Sequence, residues 1–195
     1  MGKSKRKTNF KKRKKSIWFW KNNKKAALSN QYRKIKEKIK KTQKTPLSKL
    51  DLLSLLKNVP HFLGVFSVDS LKFLAVRKFP TFLIINLDIS TQPGSHWLSI
   101  RIGKFTLEIF DSLGFKPSLW NRYPTELFKF LTSYSFSHKF YFSPVLQPEN
   151  TLTCGLFSVY FIVYRQQISF NQCISEFYKN LTLNNLKLSN LLLNY

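Results

Sequence analysis

The chain has 195 residues, 33 Lys and Arg against 9 Asp and Glu, two cysteines and a 43% hydrophobic content. That length holds one globular domain with an appendage, and two cysteines exclude a disulfide scaffold and point to a reducing, intracellular setting. No run reaches the roughly 20 apolar residues of a membrane helix, Ile17–Trp20 is too short for a secretory signal, and the formal charge of +24 calls for a polyanionic partner.

The charge is concentrated at the start. Residues 1–44 carry 19 Lys and Arg and one acid, Glu37, a net of +18. The first 27 have too little apolar content for a core and read as a disordered arm. Residues 28–41 fit a basic helix with Leu28, Tyr32, Ile35 and Ile39 on a narrow stripe. The composition changes at Thr45-Pro46, so the expected division is a basic arm over 1–44 and a packed domain over 45–195.

Within the domain, Thr45 is the expected cap of a first helix with Pro46 at its first position and Leu47, Leu50, Leu53 and Leu56 buried. Thr81–Leu87 reads as a buried strand. Trp97–Ile102 and Phe105–Phe110 form the next two strands, joined by a tight turn at Gly103-Lys104. A helix is expected from about 118 to 134, with Leu119, Leu127, Phe130 and Leu131 facing inward. Lys139–Phe142 is a further strand. A helix starting near Cys154 runs through Phe157, Phe161 and Tyr164, and two shorter ones follow near 170–180 and 183–193. Strands first and helices clustered late make the fold α+β.

The residues able to carry chemistry are few: His61, His96, His138, Cys154 and Cys173. There is no CxxC and no Cys/His cluster, so no metal site is expected. His96 opens a strand after Thr91–Ser95, and Asp111 ends the neighbouring strand, so a hairpin brings imidazole and carboxylate to one sheet end. Cys154 opens an apolar helix, where the dipole and unpaired N–H groups favour the thiolate, and a nearby histidine favours it further. These three make a nucleophilic set in the order His, Asp, Cys. Plainer readings stand beside it. Cys154 fits a small core residue, His96-Trp97 a structural pair, and Asp111–Gly114 an ordinary Asx turn.

Four short words in order carry a resemblance. Pro60–Phe66 looks like the segment that opens the domain of the adenovirus-type cysteine proteases, the adenain family, with relatives in Polinton-like and adintovirus-like elements. Gly94-Ser95-His96-Trp97 resembles the family's Gly-x-His-Trp, and Phe110-Asp111-Ser112-Leu113-Gly114 its Phe-[Asp/Glu]-x-x-Gly. Gln147, then Cys154-Gly155-Leu156-Phe157, resembles the oxyanion glutamine and the nucleophile word. The likeness covers about 58–165 and does not include 1–44.

The resemblance implies an adenain-like α+β fold, with a central mixed or antiparallel sheet flanked by helices. It also implies a cysteine endopeptidase that processes viral precursor polypeptides during virion maturation. Cys154 would be the nucleophile, His96 the general base, Asp111 the acid that orients it, and Gln147 with the Cys154 backbone N–H the oxyanion hole. Gly155 would let the backbone behind the nucleophile turn tightly, and Trp97 would shield the imidazole. No cofactor is required, and DNA is a possible activator. No cysteine precedes Cys154, so covalent activation by a peptide through an upstream cysteine is not expected. The expected form is a monomer in the host nucleus and the virion.

Two other classes stay open: a protease of ubiquitin-like modifiers, whose triad would look similar, and an inactive DNA-binding core or packaging protein. For the arm, Lys11-Lys12-Arg13-Lys14-Lys15 suits DNA anchoring or nuclear import, and Trp18-Phe19-Trp20 also allows adhesion to an anionic membrane.

Overall fold

In the computed structural model, the residues described are 46–116 and 123–194, with the side chain of Asn194 set aside. Helix α1 spans Lys49–Leu56 and strand β1 spans Phe62–Ser67, followed by a 3-10 turn over Val68–Phe73. Strands β2 (Thr81–Asn86), β3 (Trp97–Ile102) and β4 (Thr106–Phe110) precede helix α2 (Thr125–Thr132) and strand β5 (Lys139–Phe142). Helices α3 (Cys154–Tyr164), α4 (Phe170–Ser175) and α5 (Asn184–Asn194) close the fold, with a 3-10 turn at Leu181–Leu183 before the last. Architecture and class are α+β, with a mixed sheet.

The five strands lie in chain order, β1-β2-β3-β4-β5. The inner pairs β2–β3 and β3–β4 are antiparallel, and the outer pairs β1–β2 and β4–β5 are parallel. Period-2 alternation divides the sheet's side chains between two cores. Phe82, Ile84 and Phe110 face the helices α1, α3, α4 and α5. Leu83, Ile85, Ile100 and Ile109 face the 3-10 turn and α2, which contributes Leu127, Phe130 and Leu131. Every position of β2 is buried, as a strand covered on both faces requires.

Helix α3 is the spine of one layer. Residues Cys154 through Val163 are all buried, so it is apolar all round. Its far end is fixed by an ion triad: Arg165 reaches both oxygens of the buried Glu108 at 2.8 and 2.9 Å, and Arg101 adds a third contact at 2.9 Å. A buried carboxylate is tolerated only with such pairing.

Several boundaries differ from expectation. The cap of α1 is Ser48, whose hydroxyl accepts the Asp51 N–H while Asp51 bonds back to Ser48, a full capping box. Thr45 lies outside the described residues. The buried face of α1 is Leu52, Leu55 and Leu56, an i, i+3, i+4 set, whereas Leu50 is 77% exposed. A constant spacing of three drifts off one face of a 3.6-residue helix. Helix α2 starts at Thr125, and Leu119 lies outside the described residues, as do the arm and Lys11–Lys15. Strand β1 went unpredicted. Phe105 is exposed in the turn, and β4 begins one residue later.

Candidate active site

The antiparallel register of β3 and β4 decides what meets at their common end. Ser99 pairs with Phe110, so the residues just before β3 and just after β4 come together. These are His96 and Asp111. The imidazole Nε2 lies 2.7 Å from Asp111 Oδ1, with the carboxylate side chain 2% exposed and the imidazole 12%. Cys154, at the first position of α3, lines the same cleft as the imidazole, and its side chain favours the imidazolium. With Nε2 committed to Asp111, the other ring nitrogen, Nδ1, is the one left for sulfur.

Burial works against charge on His96, but the Asp111 carboxylate and the Cys154 side chain outweigh it and raise the imidazole from 6.5 to about 10. His96 is therefore held as the imidazolium across the neutral range.

Backbone geometry delivers His96. Gly94 sits at φ +95°, and a Cβ there would fall 2.0 Å from Asn86 Nδ2. Only glycine makes that approach to the end of β2 without a clash. His96 in turn accepts the Leu87 N–H through its carbonyl, tying the loop to β2.

Asp111 is held on all sides. Its Oδ1 also accepts the Leu113 N–H at 2.9 Å, and Oδ2 accepts the Tyr123 hydroxyl at 3.0 Å. Its backbone N–H donates to Ser143 Oγ at 2.8 Å, and the same hydroxyl donates back to its carbonyl at 2.6 Å. The Leu113 contact is an Asx turn, so the plain reading of Asp111–Gly114 and the histidine contact both hold at once. Burial, then the Asp111 charge, pushes the Tyr123 phenol up, which keeps it a hydroxyl donor.

Gln147 lines the same cleft and is 2% exposed. Its Oε1 accepts the Ser112 hydroxyl at 2.7 Å, and its Nε2 donates to the Thr151 carbonyl at 2.6 Å. No side chain caps the N-terminus of α3; the Thr153 hydroxyl donates instead to Asn185 Oδ1 at 2.9 Å. The first-turn N–H groups next to Cys154 are thus left without a side-chain acceptor.

His96, Gln147 and Cys154 line a cleft of about 420 Å³, with Leu113 and Leu152 exposed at its rim. A hollow of about 500 Å³ between the 3-10 turn and α2 holds neither cysteine nor histidine. Among the described residues, no group of three or more His, Cys, Asp or Glu could hold a metal ion, and no helix is long and apolar enough to cross a membrane.

The two supporting residues sit at the junction of α3 and the segment before α1. Gly155 is helical, not in a tight turn; a Cβ there would lie 3.0 Å from Leu47 Cβ and 3.4 Å from Trp97 Cδ1. Its smallness lets α3 lie close to the segment before α1. Trp97, for which a core role and a shield of the imidazole were both open, is a core residue whose indole N–H donates to the Leu47 carbonyl at 3.0 Å, and it also lines the cleft beside His96. The other histidines are elsewhere: His61 is exposed, and His138 binds Ser137 and the Gly103 carbonyl. Cys173 is fully buried on α4, where burial pushes its thiol up to about 12.

The model of the adenovirus endoprotease family matches residues 62–190. The chain belongs to that family. The matched span holds the whole sheet and His96, Asp111, Gln147 and Cys154, and the family is one of cysteine peptidases. No curated protein matches the chain. Tyr123, Ser112 and Ser143 are the members of this hydrogen-bonded set whose part the sequence did not disclose. The weak signal for the two serines was their position just past strand ends, Ser112 two residues after β4 and Ser143 directly after β5.

Proposed function

We propose that the protein is a viral-type cysteine endopeptidase in which Cys154 is the nucleophile, His96 the acid–base and Asp111 the group that orients it. The observation that carries this reading is the buried Asp111–His96 pair at 2.7 Å in the same cleft as Cys154, whose thiol sits at an uncapped helix N-terminus. Sγ attacks the carbonyl carbon of the scissile bond, and the electrons move to its oxygen. His96 then gives its proton to the departing amine, leaving a thioester. Water, deprotonated by His96, attacks the thioester; the acid product leaves with the sulfur departing as thiolate, and the thiolate–imidazolium pair is restored.

The oxyanion formed in each step is bound by the Cys154 backbone N–H and by Gln147 Nε2, which has a second N–H beyond the one given to Thr151. Donors of this kind are worth ~10²–10³ in turnover each. Gly94, Leu113 and Leu152 at the cleft suit a substrate with small residues at the cut and apolar ones beside it. The natural substrates on this reading are virion precursor polypeptides, and the +18 of residues 1–44 associates the enzyme with DNA.

Incubating the full chain with glycine-containing fluorogenic peptides, with and without duplex DNA, tests both parts. Cleavage that disappears in Cys154→Ala supports the peptidase. Absence of cleavage under both conditions, with a folded protein, overturns it.

A further inference from the structure

Asp111 and Ser112 are consecutive, both about 1% exposed, and they face different halves of the site. Asp111 holds the imidazole. The Ser112 hydroxyl donates to Gln147 Oε1 at 2.7 Å, and the Ser112 carbonyl accepts the backbone N–H groups of Leu146 and Gln147, each at 2.8 Å. The Gln147 amide is therefore gripped at its oxygen by Ser112 and at one N–H by Thr151. Two grips in the amide plane fix the direction of the remaining N–H.

We infer that Ser112 is a positioning residue for the oxyanion donor, acting through Gln147 and not through His96; this rests on the proposed peptidase reading. A hydrogen bond accepted at Oε1 also draws electron density from the amide nitrogen, so the remaining N–H becomes a stronger donor. Without the hydroxyl, Oε1 is a buried acceptor that lacks this partner, and the amide can turn about its last side-chain bond. The cost falls where charge develops on the substrate oxygen, in the transition state, and not in substrate binding. The same dipeptide thus sets both the acid–base arm and the anion-binding arm. Because Ser143 holds Asp111 through its backbone N–H and carbonyl, the dipeptide is itself fixed to the end of β5.

The experiment measures kcat and KM on a glycine-containing fluorogenic peptide for the wild type, Ser112→Ala, Ser112→Thr, Gln147→Ala and the Ser112→Ala/Gln147→Ala double variant. Iodoacetamide labelling of Cys154 runs in parallel, since alkylation at carbon builds no oxyanion. Expected is a roughly tenfold lower kcat in Ser112→Ala with little change in KM or labelling, partial recovery in Ser112→Thr, and a double variant no worse than Gln147→Ala. An additive double variant, a labelling rate that falls with kcat, or an unchanged kcat in Ser112→Ala overturns the inference. If Gln147→Ala itself keeps full turnover, the oxyanion reading fails first, and Ser112 falls with it. Loss in Gln147→Ala with none in Ser112→Ala refutes Ser112 alone. Thermal unfolding of each variant checks that the folded fraction is the same; a Ser112→Ala chain that unfolds while Ser112→Thr is stable but slow also counts against the assignment.

Discussion

The two ends of helix α3 are built on opposite plans. At its start the helix lacks a side-chain cap, and the Cys154 thiol meets an imidazolium in a cleft. At its finish Arg165 and Arg101 saturate Glu108, a carboxylate with 4% of its side chain exposed. One end leaves backbone donors for a visitor; the other leaves nothing unpaired at its carboxylate. The paired end ties α3 to β4 through Glu108. The same physics of charge in a poorly hydrated setting serves chemistry at one end and attachment at the other.

The largest effect expected is at the open end. Cys154→Ala should lower peptide cleavage by roughly 10⁴-fold or more, with thermal unfolding little changed, because one small side chain replaces another. At the paired end the expected loss is in stability. Glu108→Ala leaves two guanidinium groups uncompensated and should cost about 3–5 kcal/mol in denaturant unfolding. A loss below about 1 kcal/mol would show that the triad is no anchor.

The pH dependence separates the two ends further. His96 is charged in the fold up to about pH 10 and, in an unfolded chain, only up to about 6.5. Its contribution to stability is therefore complete below pH 6.5 and is lost as the pH rises through about 10. The stability difference between wild type and His96→Gln should shrink over that window. A difference that grows with pH would contradict the sign.

A smaller change is expected from Tyr123→Phe, which removes one of the donors to Asp111 but leaves His96 and Leu113 in place. It should cost about 1–2 kcal/mol in stability and leave cleavage reduced only severalfold. The smallest belongs to the other cysteine. Cys173→Ala should retain most activity, and iodoacetamide should label Cys154 well ahead of Cys173 in the native protein. Comparable labelling would show that burial does not govern the contrast.

Much of the scaffold was legible where one pattern dominates. Trp97–Ile102, Lys139–Phe142 and Cys154–Tyr164 matched their expected bounds, because alternation or a continuous apolar run leaves little choice of element. Strand β1 was hidden because its register shifts between Phe62 and Gly64, and Gly64 at φ +149° interrupts the alternation. The start of α1 was misread because two capping signals compete within four residues, and the box at Ser48 and Asp51 is the one used. At the site, words around His96, Asp111 and Cys154 could be read locally. Tyr123 and Ser143 could not, since what selects them is a partner 12 or 32 residues away, across turns whose geometry no local pattern states.

The chain enters the described fold at the wall of the cleft: Pro46, Leu47 and Ser48 line it together with Cys154. The point where residues 1–44 join the fold is thus next to the cleft and not on a remote face. Under the proposed association of that segment with DNA, a substrate carried on the same nucleic acid would be a neighbour of the thiol, and its raised local concentration would let a weak peptide affinity suffice.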